Sequence, residues 1–184
     1  MYLSELDWRF STTRRILHAL SDALKEVERE WPEAQESYEV DEILEHTESL
    51  LGIGFVAVQT YIAGTVSDAN RIVGSGNKLT KERLLQEHSD KLATSEVTQM
   101  QLCDAIANYF KHHDEWVSWS AAGRHQKTTS ILRAANIDEA DDFPCRKAAD
   151  ILWSNNDGSD WRKAVIADSK RSVSNVVSQP SRDH

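Results

Sequence analysis

Leu3, Leu6, Phe10, Thr13, Leu17, Leu20, Leu24, Val27 and Trp31 follow one another in alternating steps of three and four. That spacing keeps a single apolar stripe on one side of an α-helix for about eight turns, the geometry of a coiled-coil or bundle seam. Thr13 is the one polar lapse in the stripe. Pro32 ends it, because proline lacks an amide donor and disfavours helix in the residue before it. A chain that begins this way must supply a second long helix to cover the stripe.

Residues 41–73 offer that helix. Val40, Ile43, Leu44, Leu51, Phe55, Val58, Tyr61 and Ile62 give it an apolar face, and Gly52 and Gly54 weaken it enough to predict a bend. With the acidic stretch 33–39 as connector, the two form a long antiparallel hairpin, the expected frame of the fold. Beyond it, residues 74–77 form a Gly-Ser-Gly-Asn loop, and Thr80 is a natural N-cap for a short helix to Glu87. Further helices are expected over residues 95–113, 128–135, 144–153 and 159–177. Gly123, the acidic connector 138–143 and the Asn-Asn-Asp-Gly turn at 155–158 separate them. No β alternation and no repeat is visible. The expectation is a single all-α domain over residues 1–177, a helical bundle built on its N-terminal hairpin, with 178–184 a disordered tail.

Charge narrows the function. The chain is 40% hydrophobic, enough for a real core, and carries a formal charge of −9. The first fifty residues hold thirteen acids against five Lys/Arg, so the acidity is concentrated there. An acidic protein repels phosphate at long range, which argues against non-specific nucleic-acid binding. The most apolar run, residues 50–63, is too short and too polar for a span of roughly 20 residues, so no membrane is expected. Residues 1–15 lack the apolar block of a signal peptide, and two cysteines make no disulfide framework, so the expected address is the cytoplasm.

Chemistry-bearing residues concentrate on the helix at 95–113. Met100, Cys103, Ile106 and Phe110 form its apolar side, while Gln101, Asp104, Asn108, Lys111 and His112 form a polar row at helical spacing. The bland reading of such a row is a solvated face. The helix closes on Asn108-Tyr109-Phe110-Lys111-His112-His113-Asp114-Glu115-Trp116, and Asn108-x-x-Lys111-His112 resembles the motif of the HEPN family of small helical ribonucleases. That family includes many bacterial toxins and phage-defence proteins. Its motif is an arginine, usually followed by a polar residue such as asparagine, with a histidine four to six residues beyond the arginine. Asn108 and His112 match, but Ala107 stands where the arginine belongs. The string is also similar to one in uncharacterised bacterial proteins, where a T-x-x-I-L helix follows as it does at residues 128–132.

The resemblance implies metal-independent cleavage, with His112 moving protons, Lys111 contacting phosphate and Asn108 orienting, and with two protomers pairing their motifs. Asp104, Arg124 and Lys127 are the candidates for substrate contact around them. A methyl group at 107 cannot stabilise an anionic transition state, and lysine replaces an arginine only as a point charge. The leading expectation is therefore a degenerate, non-catalytic HEPN-like protein that binds a protein partner or RNA. It would act in a toxin–antitoxin or phage-defence setting, as a homodimer or with a protein partner. Two enzymes are the alternatives: a ribonuclease using His112, or an HD-type metal-dependent phosphohydrolase using His113 and Asp114, with His88 upstream and Asp141, Asp142 or Asp150 later. The leading reading needs no metal and no cofactor. Trp116 and Trp119 read as core or interface aromatics, and Cys103 as inert core.

Overall fold

The computed structural model describes residues 8–31, 36–73, 79–87, 89–116, 118–119, 123 and 125–155. The chain is all-α: α1 is Trp8–Glu30, α2 Ser37–Val73, α3 Lys81–Glu87, α4 Gln99–His112, α5 Gln126–Ala134 and α6 Pro144–Asn155. Among the described residues there is no strand, only one bridge, Lys91 to Thr98, in the loop before α4. The last helix expected from sequence, 159–177, and the tail 178–184 lie outside the described residues.

α1 runs antiparallel along the later part of α2. Arg9 pairs with Asp68 at 2.9 Å, the Phe10 and Tyr61 rings meet edge-on at 6.4 Å, and Leu17 and Leu20 reach Gly54. The partners descend in α2 as they ascend in α1, and Asp68, buried, also receives Arg71 at 3.4 Å. α2 runs unbroken through its glycines. Gly52 is there for contact: a Cβ on it would stand 2.1 Å from the Phe110 ring, so only glycine lets α4 approach so closely. Thr47, Thr60 and Thr65 return their hydroxyls to the carbonyls four residues back, which satisfies them within an apolar helix.

The core is centred on α2 and α4. Phe55, Val58 and Ile62 from α2 meet Met100, Leu102, Cys103 and Ile106 from α4, all fully buried, with Leu84, Leu132, Ile137 and Leu152 closing around them. By composition and length, residues Ser37–Arg71 would also suit a membrane crossing, but half of their most apolar window is buried inside the fold.

Local chemistry sets the ends of the later helices. Thr98 and Gln101 form a capping box: Thr98 Oγ1 accepts from the Gln101 amide and Gln101 Oε1 accepts from the Thr98 amide. This starts α4 at residue 99, four residues later than the Ser95 expected from sequence. Thr80 accepts from the Arg83 amide at 3.1 Å and caps α3 as expected. Asn136, at φ 65°, ends α5 in a Schellman arrangement, with the amide of buried Ile137 donating to Leu132 O. α6 is capped from outside: the Glu48 carboxylate on α2 accepts from the Cys145 and Arg146 amides at 2.7 and 2.9 Å.

Candidate functional site

The polar row of α4 is a part-buried seam against α2, and the residue that organises it is Gln59. Only 6% exposed, Gln59 sits in the most apolar stretch of α2. Its Nε2 donates to Asp104 Oδ1 at 2.6 Å and to Asn108 Oδ1 at 2.9 Å, while its Oε1 accepts from Lys111 Nζ at 2.6 Å. One amide thus binds three members of the row, and both of its ends are used. α3 adds a fourth partner, since Lys81 Nζ lies 2.5 Å from Asp104 Oδ1.

Lys111 is the chemically distinctive member. Burial lowers its pKa from the ordinary lysine value, and the Lys81 charge lowers it further against the opposing pull of Asp104. Among the described residues no carboxylate lies within ion-pair distance of its ammonium. Lys111 borders a depression of about 460 Å³ whose wall also includes Arg9, Gln59, Thr60, Gly64 and Lys81. Arg9 lies across Gly64 so closely that a Cβ there would stand 2.7 Å from the guanidinium nitrogen Nε. Glycine at 64 therefore lets Arg9 reach from α1 over α2.

Asp104, Asn108 and Lys111 are therefore brought together. His112 is separate. α4 ends at His112 and a 3₁₀ turn, His113–Glu115, follows, in which His112 Nδ1 meets Glu115 Oε1 at 3.2 Å at an exposed position. Lys127 pairs with Glu82 on α3 and does not line the depression. Arg124 lies outside the described residues. Ala107, where the resemblance places an arginine, is fully buried, so a longer side chain there would enter the core and not a phosphate site.

His113 turns to the apolar side. Its Nδ1 meets Phe110 O at 3.1 Å and its ring stacks on Tyr109 at 5.1 Å. Its Nε2 lies 3.2 Å from Asp114, but among the described residues no three His, Cys, Asp or Glu side chains converge as a metal site would require. His88, the upstream ligand of the HD-type reading, lies outside the described residues. Trp116 and Trp119 pack against Tyr109 at 5.6 and 5.4 Å as core aromatics, and burial pushes the Tyr109 pKa up to about 12. Cys103 and Cys145 are buried, and desolvation raises both thiols far above reactivity.

No family model, no curated protein and no solved structure matches this chain. The site is therefore judged on its own geometry. It has cations, a hydroxyl and an ordered amide around an open depression. Among the described residues no histidine lines it. Such a set can hold an anion.

Gln59, Lys81 and Arg9 were not predicted. A glutamine inside the apolar run 50–63 is the one sequence signal that marks Gln59. Lys81 and Arg9 carry none.

Proposed function

We propose that this protein works by binding: a non-catalytic, HEPN-like helical module of the cytoplasm that takes an acidic group of a protein partner into the basic depression. The resemblance supplies the setting, a bacterial toxin–antitoxin or phage-defence pair. One observation carries the reading. The Lys111 ammonium is held by Gln59 at the edge of the depression with no carboxylate of the described residues neutralising it. A partly desolvated cation in that position gains from an incoming anion what it lacks in the free protein. The charge of −9 favours a protein partner over RNA.

The test is an amide-shift NMR titration of the full chain with acetate and with inorganic phosphate, beside an RNA cleavage assay with and without EDTA. Saturable shifts around residues 59, 81 and 111, lost in Lys111→Gln, with RNA intact under both conditions, are expected. Cleavage that survives EDTA and disappears in His112→Ala would replace this reading with the ribonuclease. Cleavage lost with EDTA and in His113→Ala would replace it with the HD-type enzyme.

A further inference from the structure

A second, smaller depression of about 230 Å³ adjoins the basic one, and Arg9 and Thr60 belong to the walls of both. Its remaining lining is largely apolar, with Ile16, Ala57 and Tyr61. Ile16 is 42% exposed, at the edge of the stripe that faces α2. The two depressions therefore form one cleft along the α1–α2 seam, basic at one end and apolar at the other. We infer that this cleft takes the free C-terminus of a partner polypeptide. The α-carboxylate would lie against Lys111 and Lys81, and an apolar terminal side chain against Ile16 and Ala57. This rests on the anion-binding reading above and names its ligand.

Charge sets the head group. Arg9, Lys81 and Lys111 bring positive charge to the wall; Asp68 pairs with Arg9 and with Arg71, and Asp104 pairs with Lys81. The Lys111 charge, which no carboxylate of the described residues pairs, matches a monoanion such as a carboxylate better than a phosphate monoester, which carries about −1.5 to −2 near neutrality. The apolar end offers a base no open aromatic ring. Stacking on aromatic rings is a common way to hold a base, but Tyr61 is 2% exposed and packed edge-on by Phe10. The hydroxyls favour a peptide over a plain alkyl chain. Thr60 spends its proton on Val56 O and keeps oxygen lone pairs at the junction, where a peptide N–H can donate, and Thr12 borders the apolar end. Recognition of a terminal carboxylate together with the side chain it carries is a recurrent mode of peptide capture.

Calorimetry on the full chain tests this with four probes: acetyl-Gly-Gly-Leu as the free acid, the same peptide as its C-terminal amide, acetate and octanoate. The free acid is expected to bind at least tenfold more tightly than the amide or acetate. Ile16→Asp and Lys111→Gln should each weaken it at least tenfold, while the surface control Lys127→Gln leaves it unchanged. Circular dichroism verifies that each variant is folded. If acetate and the free acid bind alike, and Ile16→Asp affects neither, the anion site stands and the bipartite cleft falls. If octanoate outbinds the peptide, the ligand is an acyl chain and the C-terminus assignment falls. If no probe binds and Lys111→Gln changes nothing, the anion-binding reading falls with it.

Discussion

α1 and α4 divide the work of this fold in opposite ways. α1 is the longer, with 23 residues against 14, and its stripe is the most regular pattern in the sequence. Yet among its described residues only Thr13 and Leu17 are buried, while Phe10, Leu20, Leu24 and Val27 stay partly open and Trp31, just beyond its end, is exposed. α4 is short and its pattern is mixed, but Gln99, Met100, Leu102, Cys103, Ala105, Ile106 and Ala107 are all buried, and its few outward residues make the candidate site. Periodicity reports that one face of a helix is apolar. It does not report how many neighbours will cover that face, which depends on position in the bundle. α1 has α2 on one side, whereas α4 is packed by α2, α3, α5 and α6.

The difference should be largest in stability. Ile106→Ala leaves a cavity at a fully buried site of the core, and about 2–5 kcal/mol should be lost. Leu24→Ala, on the partly open stripe, should cost about 1 kcal/mol or less, because water already reaches its neighbours and no closed cavity forms. Urea unfolding measures both on one scale. Equal losses would mean that the stripe of α1 is covered in solution by something else, and the contrast between the helices would vanish.

Gln59→Leu comes next, and it probes the seam between α2 and α4 directly. The substitution adds apolar volume of similar size but strips Asp104, Asn108 and Lys111 of their shared partner. A part-buried acceptor left without a donor costs about 1–3 kcal/mol, and water entering from the depression should keep the loss near the lower figure. Unfolding in urea gives the cost, and the acetate titration should weaken in the same variant because the Lys111 ammonium is no longer held. A stable variant with unchanged anion binding would show that the network is incidental.

What the sequence made legible follows from how local each cause is. The helices at 41–73, 80–87 and 144–153 and the Thr80 cap depend on neighbours within a few residues, and they were readable. The capping box Thr98-x-x-Gln101 is equally local, and it starts α4 at Gln99 and not at Ser95. The row Asp104, Asn108, Lys111 was visible as helical spacing. Its setting was not, because Gln59 lies 45 to 52 residues from the groups it joins. Gly52 was legible as a weak helix former, but its close approach to Phe110 joins distant segments and leaves no local signal. His112 was assigned to the row by extending the helical spacing to the final residue of α4, where the chain tightens into a 3₁₀ turn and the side chain meets Glu115 instead.

The smallest expected effect separates a lysine that supports the fold from one kept for a ligand. Lys111→Gln removes a cation whose charged form is disfavoured in the native state, chiefly by burial and then by Lys81. A lysine whose native pKa is depressed carries that cost at every pH below its folded value. The cost is relieved as pH rises from there to the ordinary lysine range. Around neutrality the substitution therefore gives up the bond to Gln59 but also discards a charge that is disfavoured only weakly, because Lys111 is largely exposed and water screens it. Stability should change by no more than about 0.5 kcal/mol in either direction. Any advantage of the variant should shrink as pH approaches the lysine range, because the wild-type ammonium is then losing its proton. Paired thermal melts at pH 7 and pH 10 read both signs. A loss above about 1 kcal/mol at pH 7 would make Lys111 a strut of the α2–α4 seam. A neutral or stabilising substitution that abolishes acetate binding would show that α4 carries an ammonium its own fold does not need, as a binding residue does when function is held at some expense of stability.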